Sequence, residues 1–126
     1  MSTSLQELSA ALRRQQFYVV RMQAPEGIEN PREYLTPHLH EHLLWLQEME
    51  SSGQLFVSGA LADETGWDGS GLAIVRAPSR QAAQALADTE PFAKHGLRTN
   101  SVAGWQLNEG SITFTLNILA DSFTVA

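Results

Sequence analysis

Cysteine is absent from the 126 residues, which excludes disulfides, thiolate nucleophiles and thiolate metal ligands. Basic residues are scarce. Eight Lys and Arg against fourteen Asp and Glu leave a formal charge of −6, and the few cations are scattered singly, with no stripe that could track phosphates. Nucleic acid is therefore not an expected partner. No apolar run approaches the ~18–20 residues that span a bilayer, and residues 1–15 are polar where a secretory signal would be apolar, so no membrane association is expected and the expected compartment is the cytoplasm. What the chain does have is apolar matter, 43% of its residues against 17% charged, enough to fill one core without staples. The length suits a single domain.

Leu5, Leu8, Ala11 and Leu12 recur at helical spacing within Ser4–Gln15, which predicts a short N-terminal helix capped by Ser4 or Thr3. Phe17–Ala24 predicts a strand that ends at Pro25-Glu26-Gly27. Thr36 followed by Pro37 marks a helix start, with the helix running to about Ser51 and stopping at Gly53. Leu55–Ala60 and Leu72–Arg76 predict a hairpin whose long tip is the Gly- and Asp-rich stretch Asp63–Gly71. Ser79 caps a second helix to about Asp88, Pro91 discourages helical geometry at Glu90, and a last turn through Lys94 stops at Gly96. Ser101–Leu107 predicts a fourth strand. The alternation of Ile112, Phe114, Leu116 and Ile118 then predicts a final strand over Ser111–Ala120.

The order is β-α-β-β-α-β with an appended strand, the ferredoxin-like α+β pattern in which both helices cover one face of an antiparallel sheet. The other face is left bare. Because the strands at Phe17 and Leu72 are apolar on both sides, that face needs a cover, and a second copy of the chain is the simplest one. The expected organisation is one domain over residues 1–126, with an N-terminal arm (1–16), a core (17–110) and a C-terminal strand and tail (111–126). It is expected to act as a homodimer, with the last strand extending across the seam.

Leu39, Leu43, Leu46 and Met49 define the inward stripe of the long helix, and His42 falls inside that arc. An inward histidine can serve chemistry, with its unperturbed pKa of ~6.5, or can simply donate to a backbone carbonyl. Glu90 by itself reads as a surface residue at a helix end. Beside His42 it would fix the tautomer of the ring and leave the second nitrogen free to take or give a proton. His38, His40 and His42 suggest a metal, but on a helix His40 points away from the other two and no Cys or HExxH completes a ligand set, so none is expected. The acidic stretch around Asp63–Gly69 lacks the ligand spacing of a calcium loop. Trp67 there suits a lid over a pocket or a place in the dimer seam, Trp45 and Trp105 suit packing, and His95 suits a cation at a helix end.

Read in order, His42-Leu43-Leu44-Trp45-Leu46, Gly53-Gln54-Leu55-Phe56-Val57-Ser58-Gly59, Leu72-Ala73-Ile74-Val75 and Glu90-Pro91-Phe92 with Gly96 resemble the YciI-like, or YCII-related, proteins over roughly residues 17–110. The resemblance implies a dimeric α+β barrel, two sheets packed face to face. It also implies a pocket with a histidine, here His42, and an Asp from an Asp-Pro step, where this chain places Glu90; Ala60 stands where many relatives have proline. The reactions it suggests are cofactor-free proton transfers of the lyase, dehydrochlorinase or isomerase type on a small apolar or aromatic substrate. His42 and Glu90 are then the expected catalytic pair, with His38, Ser58 and Trp67 as substrate contacts and neither metal nor cofactor. The competing reading is a non-catalytic module that binds a metabolite or a partner protein.

Overall fold

Strands with apolar residues on both sides belong in the middle of a sheet, and β1 (Gln15–Gln23) takes that place. In a computed structural model that describes residues 3–119 and 122–125, β1 is followed by α2 (Pro31–Ser51), β2 (Leu55–Asp63), β3 (Gly66–Val75), α3 (Arg80–Asp88), α4 (Pro91–Lys94) and β4 (Thr99–Leu107). The strands form one sheet in the order β2-β3-β1-β4, with β3 antiparallel to both β1 and β2. This is the expected ferredoxin-like α+β arrangement, and residues 16–106 form a compact unit that contains it.

Alternation along the strands decides which side each residue serves. Val20, Met22, Ala73, Val75 and Val102 pack with Met49 of α2 and with Ala83 and Ala87 of α3 to make the core. Val19, Arg21, Leu72 and Ile74 alternate with them and so belong to the opposite face. Toward one end of the sheet, an irregularity in register between Leu55 and Val57 frees Phe56 from pairing. Its ring stacks on buried Phe17 at 4.9 Å, with the Arg76 guanidinium 5.2 Å from the Phe56 ring.

Several expected boundaries are corrected. The long helix starts not at Thr36-Pro37 but at Asn30-Pro31, where the Asn30 side chain accepts from Glu33 N. Pro37 lies inside the helix, and Thr36 Oγ1 donates to Arg32 O at 2.6 Å instead of capping. The buried line of α2 is Leu35, His42 and Met49, whereas Leu39 and Leu43 of the expected stripe stay exposed. The stretch Asp63–Gly71 is mostly strand. Ala62 pairs with Trp67 and Asp63 with Gly66, so the hairpin tip is only Glu64-Thr65, held where Asp63 Oδ1 accepts from Thr65 N and Oγ1.

A second compact unit comprises residues 3–15 and the described residues from Leu107 onward. Its helix α1 (Leu5–Ala10), capped by Ser4, is shorter than the expected Ser4–Gln15. The final strand is corrected too: β5 (Phe114–Asn117) turns at Ile118-Leu119 and pairs antiparallel with β6 (Ser122–Val125) in a separate two-stranded sheet. Ala120, the expected end of that strand, lies outside the described residues. Among the described residues no helix is long and apolar enough to cross a membrane.

Candidate active site

The site grows from two helix starts. Capping at Asn30-Pro31 sets the phase of α2 so that Leu35, His42 and Met49, seven residues apart, face inward. On the other side, the residue before Pro91 must be extended, and Glu90 has φ −66° and ψ 127°. That geometry makes Glu90 the N-cap of α4: its carboxylate accepts from Phe92 N at 3.1 Å and Ala93 N at 2.8 Å.

The same carboxylate meets His42. Nδ1 of the imidazole lies 2.5 Å from Glu90 Oε1, and Asn100 Nδ2 donates to Oε2 at 3.2 Å while also donating to Ala87 O. Glu90 is completely buried. Burial is the largest single influence on its carboxyl and pushes the pKa up, but the hydrogen bond and charge of His42 and the amides of Ala93 and Phe92 together hold it below its ordinary value. An ionised carboxylate only accepts, so Nδ1 of His42 carries the proton. Nε2 has no hydrogen-bond partner among the described residues and is the nitrogen left for chemistry.

His42 lines a cavity of about 250 Å³ whose walls are mostly apolar, with Leu35, Leu39, Leu43 and Leu46 from α2 and Phe92 from α4. The imidazole stacks on Phe92 with ring centroids 4.3 Å apart. Across the cavity, β2 contributes Ser58 and β3 contributes Trp67 and Gly71. Trp67 is held in place by Nε1 donating to Ser70 O at 2.7 Å. Gly71 is closely packed, since a Cβ there would come to 3.1 Å from Gly59 O and 3.2 Å from Met22 Cε, tight enough that these neighbours would have to shift slightly.

Of the residues expected from sequence, His42, Ser58 and Trp67 thus share one cavity, with Glu90 behind the imidazole. His38 does not line it. Its ring stacks on His95 at 3.6 Å, and Glu41 lies 3.4 Å from His38 Nδ1 and 3.2 Å from His95 Nε2. His38, Glu41 and His95 each offer a ligand atom within 4.8 Å of the others, so together they could hold a metal ion on the surface; of the alternate histidines only His38 takes part, and its partners are Glu41 and His95. Hydrogen bonds from His95 and then His38 hold the exposed Glu41 carboxyl below its ordinary value.

Sequence reasoning missed Arg98 and Asn100. Both have the parity of buried Val102, so the alternation of β4 continued backwards would have put them on the core side. Arg98 lines the cavity and donates through Nε to Gly69 O at 2.8 Å. Its guanidinium carbon lies 4.7 Å from the centroid of the Phe92 ring.

Residues 16–106 match the family model described as the YCII-related domain. The chain belongs to the YCII-related family. No curated protein matches it. Among solved structures, this YCII-related chain is similar to 5-chloro-2-hydroxyhydroquinone dehydrochlorinase (TftG) from Burkholderia phenoliruptrix AC1100, in complex with 2,5-dihydroxybenzoquinone. The two are 18% identical with a TM-score of 0.56, over 71% of this chain and 92% of that one, and at this identity the likeness speaks for the fold. For a YCII-related protein the departure at position 90 is small in effect: Glu in place of the Asp of the resemblance still reaches both the imidazole and the first turn of α4.

Proposed function

We propose that this YCII-related protein is a small-molecule enzyme in which His42 and Glu90 carry out proton transfer, without a cofactor, on a small apolar or aromatic substrate. The observation that carries this reading is the 2.5 Å pairing of a buried carboxylate with His42 Nδ1, on an imidazole that lines a mostly apolar cavity. Nε2 takes a proton from a C–H or O–H of the bound molecule, and the Glu90 carboxylate stabilises the imidazolium that forms. Return of that proton to another atom gives isomerisation. Departure of a leaving group with its electron pair gives elimination of the lyase or dehydrochlorinase type, the ring then losing its proton to water. A cavity of about 250 Å³ suits one substituted six-membered ring, and the similar dehydrochlorinase holds a hydroxylated quinone. Ser58 and Trp67 serve as contacts on the wall facing His42. We also assign a homodimer, formed through the sheet face that carries Val19, Leu72 and Ile74, and an activity in the cytoplasm.

The test is a panel of small phenols, quinones and cyclic ketones incubated in D2O, with deuterium uptake or product formation followed by NMR. His42→Ala is expected to lower the rate by about 10²–10⁴-fold. Full activity without His42 would refute the reading. The competing assignment, a binding module without chemistry, draws on one observation: both oxygens of Glu90 already cap α4, a role that requires no reaction.

A further inference from the structure

Arg98 is a cation in a place where cations are expensive. Only 8% of its surface is exposed, and among the described residues it forms no ion pair with a carboxylate. Nε is satisfied by Gly69 O at 2.8 Å, whereas Nη1 reaches only the Met22 thioether at 3.9 Å and Nη2 has no hydrogen-bond partner among the described residues. Burial, the largest influence, pushes its pKa down, and the charges of Glu90 and Asp68 partly restore it. Neither carboxylate is in hydrogen-bond contact with Arg98: Glu90 is committed to His42, Asn100 and α4, and Asp68 Oδ1 accepts from Ser70 N. A buried guanidinium that lines a cavity, with unfilled donors and no carboxylate in hydrogen-bond contact, can therefore take an anion from that cavity.

Arg98 and Gly71 lie together on the cavity wall. Gly71 sits beside the guanidinium, where a Cβ would come to 3.8 Å from Nη1. Phe92 touches both polar groups of the cavity, with 4.3 Å from its ring centroid to the His42 ring and 4.7 Å to the Arg98 carbon, so the two lie at most about 9.0 Å apart. One small ring with an oxygen substituent can touch both. We propose that the cavity selects a ligand bearing an anionic oxygen, a carboxylate or a phenolate, which Arg98 binds through Nη1 and Nη2 while the ring of the ligand lies against the leucines of α2 and His42 faces its other end. This rests on the cavity being the ligand site, as in the function proposed above, and adds the charge of the substrate. In that arrangement Arg98 would hold negative charge that develops when His42 removes a proton, as well as charge present beforehand.

Binding of matched probes tests the assignment without requiring turnover. Benzoate is compared with benzamide, and 4-nitrophenolate, above its ionisation, with 4-nitroanisole, by titration against ¹H–¹⁵N spectra that report the Trp67 and Phe92 signals. Wild type is expected to favour at least one anion over its neutral partner by about tenfold or more, the size of a charge-assisted hydrogen bond. Which pair shows the preference separates carboxylate from phenolate recognition. The preference should persist in His42→Ala and vanish in Arg98→Met, whose apolar side chain fills similar space, with Arg98→Lys intermediate. Equal binding of charged and neutral probes by wild type, no response of the cavity signals to either anion, or a preference that survives Arg98→Met overturns the proposal. A preference lost in His42→Ala but kept in Arg98→Met would also overturn it and move anion recognition to the imidazole. If Arg98→Met does not fold, the wild-type comparison and Arg98→Lys still decide. Failure of proton transfer would show instead as normal anion selectivity with no deuterium uptake.

Discussion

Glu90 serves two structures at once, and its ionisation links them. Because its carboxyl in the folded state is held below its ordinary value despite burial, the ionised group stabilises the fold above about pH 4.5, and that contribution is lost as pH falls through the lower folded value. Urea unfolding followed from pH 7 to pH 3 should therefore show a loss of stability that is smaller in Glu90→Gln. At neutral pH the variant, which keeps one acceptor for α4 but no charge, should be less stable by about 1–3 kcal/mol. Equal stability of the two proteins at every pH would show that the buried pair contributes nothing. None of this double duty was legible in the residue alone, since a Glu before a proline at a helix end has the local signature of a solvated cap. Partners distant in sequence, His42 and Asn100, are what turn it inward. His42 was more legible because helical periodicity already placed it on the inner arc, although that arc runs through Leu35 and Met49 and leaves Leu39 and Leu43 exposed.

Two cap-plus-proline signals compete for the start of the long helix, Asn30-Pro31 and Thr36-Pro37, and local chemistry does not rank them. Tertiary packing does. Leu35 is 1% exposed and lies between the two, so a helix that began at Thr36 would leave the segment carrying it without regular backbone pairing. The consequence is a proline in the helix interior, with no N–H to give to the carbonyl of Glu33. Pro37→Ala should restore that bond and raise the stability of the fold by about 1–3 kcal/mol, seen as a higher melting temperature. A lower one would mean that the proline at 37 helps hold α2 in the geometry that brings His42 to Glu90. The strands show a parallel effect. Glycines at 66, 69 and 71 signal a loop, yet β3 runs through them because β2 lies alongside from Leu55 to Asp63 and pairs with it. At the far end, the alternation through Ile112–Ile118 marks a strand only over Phe114–Asn117, which pairs with β6.

The order of elements was the most legible property of the molecule as a whole, because each strand and helix carries its own period and the βαββαβ order admits few topologies. The sheet face opposite the helices gives the whole-molecule prediction. Light scattering at micromolar concentration should report about twice the 13.9 kDa chain mass, and a stable monomer would refute the proposed homodimer. Ile74, 7% exposed within a single chain, sits on that face, and Ile74→Asp should lower the melting temperature and abolish the dimer together, since an unpaired carboxylate there opposes both folding and association. The joint role of Glu90 also bears on how such a protein can change over generations. A lineage that did not need the proposed reaction could let His42 drift to any side chain that fills the space beside Phe92, but the position before Pro91 would still need a side chain that accepts from the first amides of α4, which Asp, Asn, Ser or Thr can also provide. A capping side chain at that position in a relative is therefore a record of folding, and under the proposed function the record of use would be an imidazole at position 42.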